Sequence, residues 1–435
     1  MTRWLRRTAL AAAVVALAAS LFVVGAALGA PQDKPPAPAA STAVAGDALS
    51  RSIAGLQAEL RRTPDNDRRW SDLGLAYVQQ ARLTADPTYY PKAEGAFAKS
   101  LSLHPEGNAS ALVGQATLAS ARHDFPRALV LVDKALAVND YSAIAYGVKT
   151  DALTELGRYD EALAAVQRML DLRPGVDSFA RASYQRELRG DVAGARDLLQ
   201  KASDDAPAAA DKAFSLYYLG ELSWNTGDRA GARRSYDDAL AADPKYLPAL
   251  TGQAKSLAAA GDVTAALSLY REAVQEQPQP AYVIELGELL EASGQKAAAA
   301  EQYDVVRATE QLFAAQGSNV DLELALFEAD HGTPAHALRY ATSAYRVRPD
   351  SILTEDAYAW ALHKAGRDRE ALVVARRAGR LGTRLPTLRY HLGVIEAAVG
   401  DRAAARRDLT AALALNPTFN PLQSPAAQRL LRTLT

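Results

Sequence analysis

The chain has no cysteine. That excludes disulfides, thiolate metal sites and cysteine nucleophiles, and also a lipid-modified N-terminal cysteine. It has no excess of either charge: 49 Lys and Arg stand against 50 Asp and Glu, a formal net charge of −1. The basic footprint of a nucleic-acid binder is therefore missing. Among the six histidines (His104, His123, His331, His336, His363 and His391), no pair has zinc-site spacing with a nearby acid. There is no P-loop, no Gly-x-Gly-x-x-Gly following a strand and no Gly-x-Ser-x-Gly nucleophile turn. The paired acids Asp204-Asp205 and Asp237-Asp238 read as solvated helix surface. The expectation is a protein that is not an enzyme and uses no cofactor or metal.

Composition is otherwise that of a folded chain, with 49% hydrophobic and 23% charged residues. The first 30 residues differ. Arg3, Arg6 and Arg7 precede an uncharged stretch from Thr8 to Ala30. As a helix it would be roughly 35 Å long, enough to cross a bilayer. The preceding arginines favour an N-terminus left in the cytoplasm and a body outside it. Ala27-Leu28-Gly29 offers a small-x-small cleavage triplet. Residues 1–30 are thus expected to be a signal peptide or a retained membrane anchor. Residues 31–46, with Pro31, Pro35, Pro36 and Pro38, read as a semi-extended linker.

What the rest of the chain has in abundance is periodicity. Ala93, Ala128, Ala162, Ala195, Ala232, Ala266, Ala299, Ala337, Ala371 and Ala405 recur at steps of 33 to 38 residues. Each sits early in an apolar pattern of helical period. A glycine precedes many of them by a few residues, as at Gly157, Gly190, Gly227, Gly261, Gly294, Gly332, Gly366 and Gly400. Such a glycine ends one helix in the left-handed conformation. Asp191, Asp228, Asp262 and Asp401 follow and can cap the next helix. Pro105, Pro174, Pro207, Pro244, Pro278, Pro349 and Pro417 close the units. Three markers in one register predict a stack of helical hairpins.

In these markers the chain resembles the tetratricopeptide repeat (TPR) proteins. Their Trp-x2-Leu-Gly-x2-Tyr…Ala-x3-Phe…Pro pattern is met by Trp70, Leu73, Gly74, Tyr77, Ala93, Phe97 and Pro105. The resemblance implies an all-α fold, an α-solenoid wound as a right-handed superhelix of about ten TPR helix hairpins. The array is placed at 65–420, with an N-terminal flanking helix at 47–64 and a C-terminal capping helix at 421–435. Four repeats depart from the pattern. The first carries extra residues from Ala85 to Pro91, the second has His123-Asp124 for the turn glycine, the seventh runs on from Thr309 to Ser318, and the ninth ends at Gly379 and Gly382.

Arrays of this kind hold other molecules in a concave groove. Projected onto the inner face of each first helix, the groove residues are Tyr184, Phe214, Tyr217, Glu221, Trp224, Ile284, Glu288, Leu326, Trp360 and Tyr390. Aromatic rings beside acids suit an apolar, partly basic peptide or helix. The expected function is an extracytoplasmic, membrane-tethered or exported scaffold that binds a protein or peptide, with no nucleic acid and no membrane contact beyond the N-terminal segment. Two alternatives stand beside it. One is a chaperone for an exported or maturing polypeptide, since the Trp70 repeat and the helix before it also resemble TPR modules of cytochrome c maturation factors. The other is an enzyme with a site hidden in the groove.

Overall fold

The computed structural model describes residues 42–434, and side chains from Leu49 onward. The expected signal or anchor segment, 1–30, lies outside the described residues. Twenty-two helices and no strand occur among the described residues. The first, α1 (Thr42–Arg62), begins inside the stretch read from sequence as linker.

Ten antiparallel hairpins follow. They pair α2 (Asp67–Thr84) with α3 (Tyr89–Leu103), α4 (Ala109–Ala121) with α5 (Phe125–Val138), and α6 (Ala143–Glu155) with α7 (Tyr159–Leu172). Next come α8 (Val176–Leu188) with α9 (Val192–Asp204), α10 (Ala209–Asn225) with α11 (Arg229–Ala242), and α12 (Leu247–Ala259) with α13 (Val263–Glu276). The last four pair α14 (Pro280–Ala292) with α15 (Lys296–Ala315), α16 (Asp321–His331) with α17 (Pro334–Val347), α18 (Ile352–Lys364) with α19 (Asp368–Ala378), and α20 (Pro386–Ala398) with α21 (Arg402–Leu415). A final helix, α22 (Gln423–Thr433), packs on the tenth hairpin.

Local chemistry explains the hairpins. The carboxylates of Asp191, Asp228, Asp262 and Asp401 accept from backbone N–H groups three residues on, at 2.8–3.1 Å, and cap α9, α11, α13 and α21. The ten periodic alanines are all at most 1% exposed. They lie where paired helices cross, and only a small side chain permits that approach. Larger rings fill the wedge beyond. Phe97 lies against the Cα atoms of both Gly74 and Gly114, and Tyr236 against those of Gly220 and Gly252. One aromatic side chain thus couples two successive first helices.

A second set of contacts joins parts of the chain 192 to 196 residues apart. The turn of hairpin n meets the segment after hairpin n+5. Gln277 Nε2 donates to the Leu83 carbonyl at 3.1 Å, and His123 Nδ1 lies 3.0 Å from the Asn319 carbonyl. The Ile352 backbone N–H donates to the Tyr159 hydroxyl at 2.8 Å, the Thr383 hydroxyl donates to the Leu188 carbonyl, and Asn416 Nδ2 donates to the Trp224 carbonyl at 2.8 Å. The solenoid therefore winds back on itself, and its turns share a continuous seam.

In three of the four irregular repeats the irregular stretch itself reaches the seam. His123 takes the positive φ (57°) that glycine holds in regular turns, and its ring reaches Asn319. The lengthened α15 carries the chain to Asn319. Gly382 brings Thr383 to Leu188. In the first hairpin the expected insertion is short: Ala85 turns at φ 50°, and α3 resumes at Tyr89.

Candidate binding groove

The first helices of the hairpins line the inside of the winding, and the residues expected there divide into separate places. In hairpin 5, Phe214, Tyr217 and Tyr218 pack edge to face, with ring centroids 4.8 and 5.1 Å apart. Tyr217 also meets Tyr236 and Tyr246 at 6.1 Å. Glu221 accepts from the Tyr236 hydroxyl at 2.6 Å and from Lys255 Nζ at 2.7 and 2.9 Å. Tyr184 packs at the seam beside Tyr159, Leu188 and Ile352.

The expectation of open aromatic anchors is corrected at three positions. Trp224 is 3% exposed, packed with Ala232, Tyr236 and Tyr217. Trp360 is 2% exposed, stacked on His391 at 4.1 Å, and its indole N–H donates to Asp330 at 2.9 Å. Tyr390 is buried against Trp360 and Phe419. Rings aimed inward meet protein, because Trp224 packs within its own hairpin, Trp360 against the next hairpin, and Tyr390 against the segment that follows α21.

The segment after α21 also reaches the inner face. Asn420 Nδ2 donates to Glu288 at 2.8 Å, and Gln423 Nε2 donates to Asp330 at 3.1 Å. Glu288 also lies 3.3 Å from His331 Nε2. Ile284 and Leu326 are half-buried in the hydrophobic core. The ten expected residues therefore do not form one site.

The open groove lies in the first winding. A cavity of about 340 Å³ runs between α1, α2 and the first helices of hairpins 3 to 5. Leu49, Leu75, Val78, Ile144, Val148 and Val176 make its apolar floor. Ile144 is 41% exposed. Asp72, Asp177, Asp205 and Asp211 stand around it with Arg173 and Arg181. Arg181 is already committed, because its fork meets both Asp151 oxygens at 2.9 Å. Burial pushes the Asp151 carboxyl up to about 7 against the pull of Arg181. Asp177 Oδ1 is buried with no hydrogen-bond partner, and burial raises the acid against the pull of Arg181 and Arg173. An apolar channel with surplus carboxylates results.

Leu75 and Val78 are not among the expected groove residues. Ile144 and Asp177 are absent from them as well, although the chain carries a signal for these two. Each precedes its repeat alanine, Ala162 and Ala195, by the step that separates Phe214 from Ala232. Among the described residues no group of three or more His, Asp or Glu could hold a metal ion, and no helix is long and apolar enough to cross a membrane.

A tetratricopeptide-repeat family profile matches residues 113–177, 217–281 and 251–316. No curated protein matches the chain. Among solved structures, it is similar to the human IFIT1 dimer, at 14% identity over 86% of this chain and 89% of that one, with a TM-score of 0.46. Yeast Tom70 is 15% identical over 84% of this chain and 90% of its own, TM-score 0.42. A thermophilic TPR protein of Thermus thermophilus is 20% identical over 43% of this chain and 99% of its own, TM-score 0.39. The chain is thus an all-α solenoid of ten helical hairpins, and tetratricopeptide repeats are matched within residues 113–316.

Proposed function

We propose that this protein is a non-catalytic scaffold that holds a polypeptide segment of apolar and basic residues in the groove of its first winding. One observation carries the reading: an apolar floor with exposed Ile144 lies beside Asp177 and Asp211, carboxylates with no Lys or Arg partner within 4 Å among the described residues. Apolar side chains of a ligand would cover the floor, and a Lys or Arg would answer the acids. The test is a set of synthetic peptides alternating Leu or Val with Lys, compared with the same peptides carrying Glu for Lys. Only the Lys set should bind, and Ile144→Asp should abolish that binding with Tm unchanged. Equal binding of the Glu set, or unaltered binding by the variant, would rule the groove out.

We further propose that the solenoid works outside the cytoplasmic membrane. The support is the arginine-led apolar run Thr8–Ala30 and the proline-bearing stretch after it. A reporter active only outside the cytoplasm, fused after Thr435, should be active. Activity of a cytoplasm-dependent reporter alone would reverse the topology. Mass spectrometry of the mature N-terminus distinguishes cleavage from anchoring.

A further inference from the structure

A second cavity, of about 360 Å³, lies between the first helices of hairpins 5 to 7 and the segment 417–428. It shares no residue with the groove described above. Trp224, Tyr270 and Phe419 give it aromatic walls. Its polar lining includes Lys255, Glu285, Glu288 and Asn420.

The charges there do not balance. Lys255 is consumed by Glu221, whose two oxygens lie 2.7 and 2.9 Å from its Nζ. Glu285 is hydrogen-bonded by the Tyr270 hydroxyl, and Glu288 by Asn420 and His331. Neither has a Lys or Arg within 4 Å among the described residues. Two carboxylates thus face a half-open, aromatic-walled space whose one lysine, Lys255, is already held by Glu221. A planar cation that stacks on rings and donates in a fork to carboxylates matches these walls.

We propose that this cavity binds a guanidinium group, with Glu285 and Glu288 accepting from its N–H fork and the aromatic side chains packing on its faces. The source is either a free alkylguanidine or the arginine of a peptide, and the cavity has room for both. The groups that face Glu285 are Glu221, Lys255, Tyr270, Tyr282 and Glu288. Burial pushes the Glu285 carboxyl up to about 7 against the pull of Lys255, with Glu221 and Glu288 adding to the rise. A bound guanidinium would favour its ionised form, so binding should release a proton from Glu285.

The experiment is isothermal titration of the full-length chain with N-acetyl-arginine methylamide, with its neutral citrulline counterpart and with butylguanidinium. The arginine ligand is expected to bind at one site, and citrulline about ten-fold or more weakly. At pH 7 the heats in buffers of different ionisation enthalpy should report net proton release. Glu285→Gln should remove that release and weaken arginine binding by about ten-fold or more. Equal affinity for butylguanidinium would identify a free alkylguanidine as sufficient, whereas binding of the capped arginine alone would identify a peptide side chain. Equal binding of citrulline and arginine, or no heat from either guanidinium ligand, would overturn the site. That comparison uses the unaltered chain, so it stands even where Glu285→Gln misfolds.

Discussion

Arg348 and Glu155 are 193 residues apart in the chain and 2.9 Å apart in space, with only 2% and 9% of their side chains exposed. They pin the segment after hairpin 8 to the turn of hairpin 3. Stability in a simple repeat array is a sum over neighbours. Here an ion pair, several hydrogen bonds and backbone contacts add a second dimension.

Arg348→Ala should therefore cost about 3–5 kcal/mol, because it leaves Glu155 buried without its cation. The double change Arg348→Met with Glu155→Met should cost less than the single one. Urea denaturation measures both. Hydrogen exchange should rise together around residues 153–160 and 348–355. A loss confined to hairpin 8 would show that the seam carries no coupling.

Gly157 tests the seam by sterics. Its φ is 76°, and a Cβ there would overlap the Asp350 carbonyl across the seam. Gly261, at φ 92°, has nothing within 4 Å of that position. Gly261→Ala should show only the backbone penalty, about 1 kcal/mol. Gly157→Ala should be clearly worse in the same denaturation assay and should enlarge the radius of gyration in solution scattering.

Trp224→Ala should cost about 3–5 kcal/mol, as a large ring removed from a packed interior does. Ile144→Asp, at an exposed position, should leave Tm within a degree or two. A Trp224 variant with unchanged Tm would return that ring to the surface.

Burial pushes the Glu187 carboxyl up to about 7, with Glu221 raising it further. The folded chain then holds this proton more tightly than the unfolded chain does. The stabilisation is fully present below the unfolded value near 4.5 and is lost as pH rises through about 7. Thermal unfolding between pH 5 and 8 should show Tm falling, and Glu187→Gln should flatten part of that slope. A slope unchanged by the substitution would remove Glu187 as its source.

The sequence by itself determined the hairpins. Helix periodicity, capping aspartates, turn glycines and crossing alanines act within one or two repeats, so their spacing is written in the chain. Asp228 caps α11 and Ala232 lies buried at a crossing for reasons local to some ten residues. The closure of the winding was decided only in three dimensions. Small rotations between hairpins accumulate over five units before Glu155 meets Arg348. No local pattern encodes that sum, so His123 and Gly382 read as irregular until the seam gave them partners. Packing between helices also buried Trp224 and Trp360 and left the groove at Ile144 open, because which inward face stays free depends on contacts that no single helix encodes.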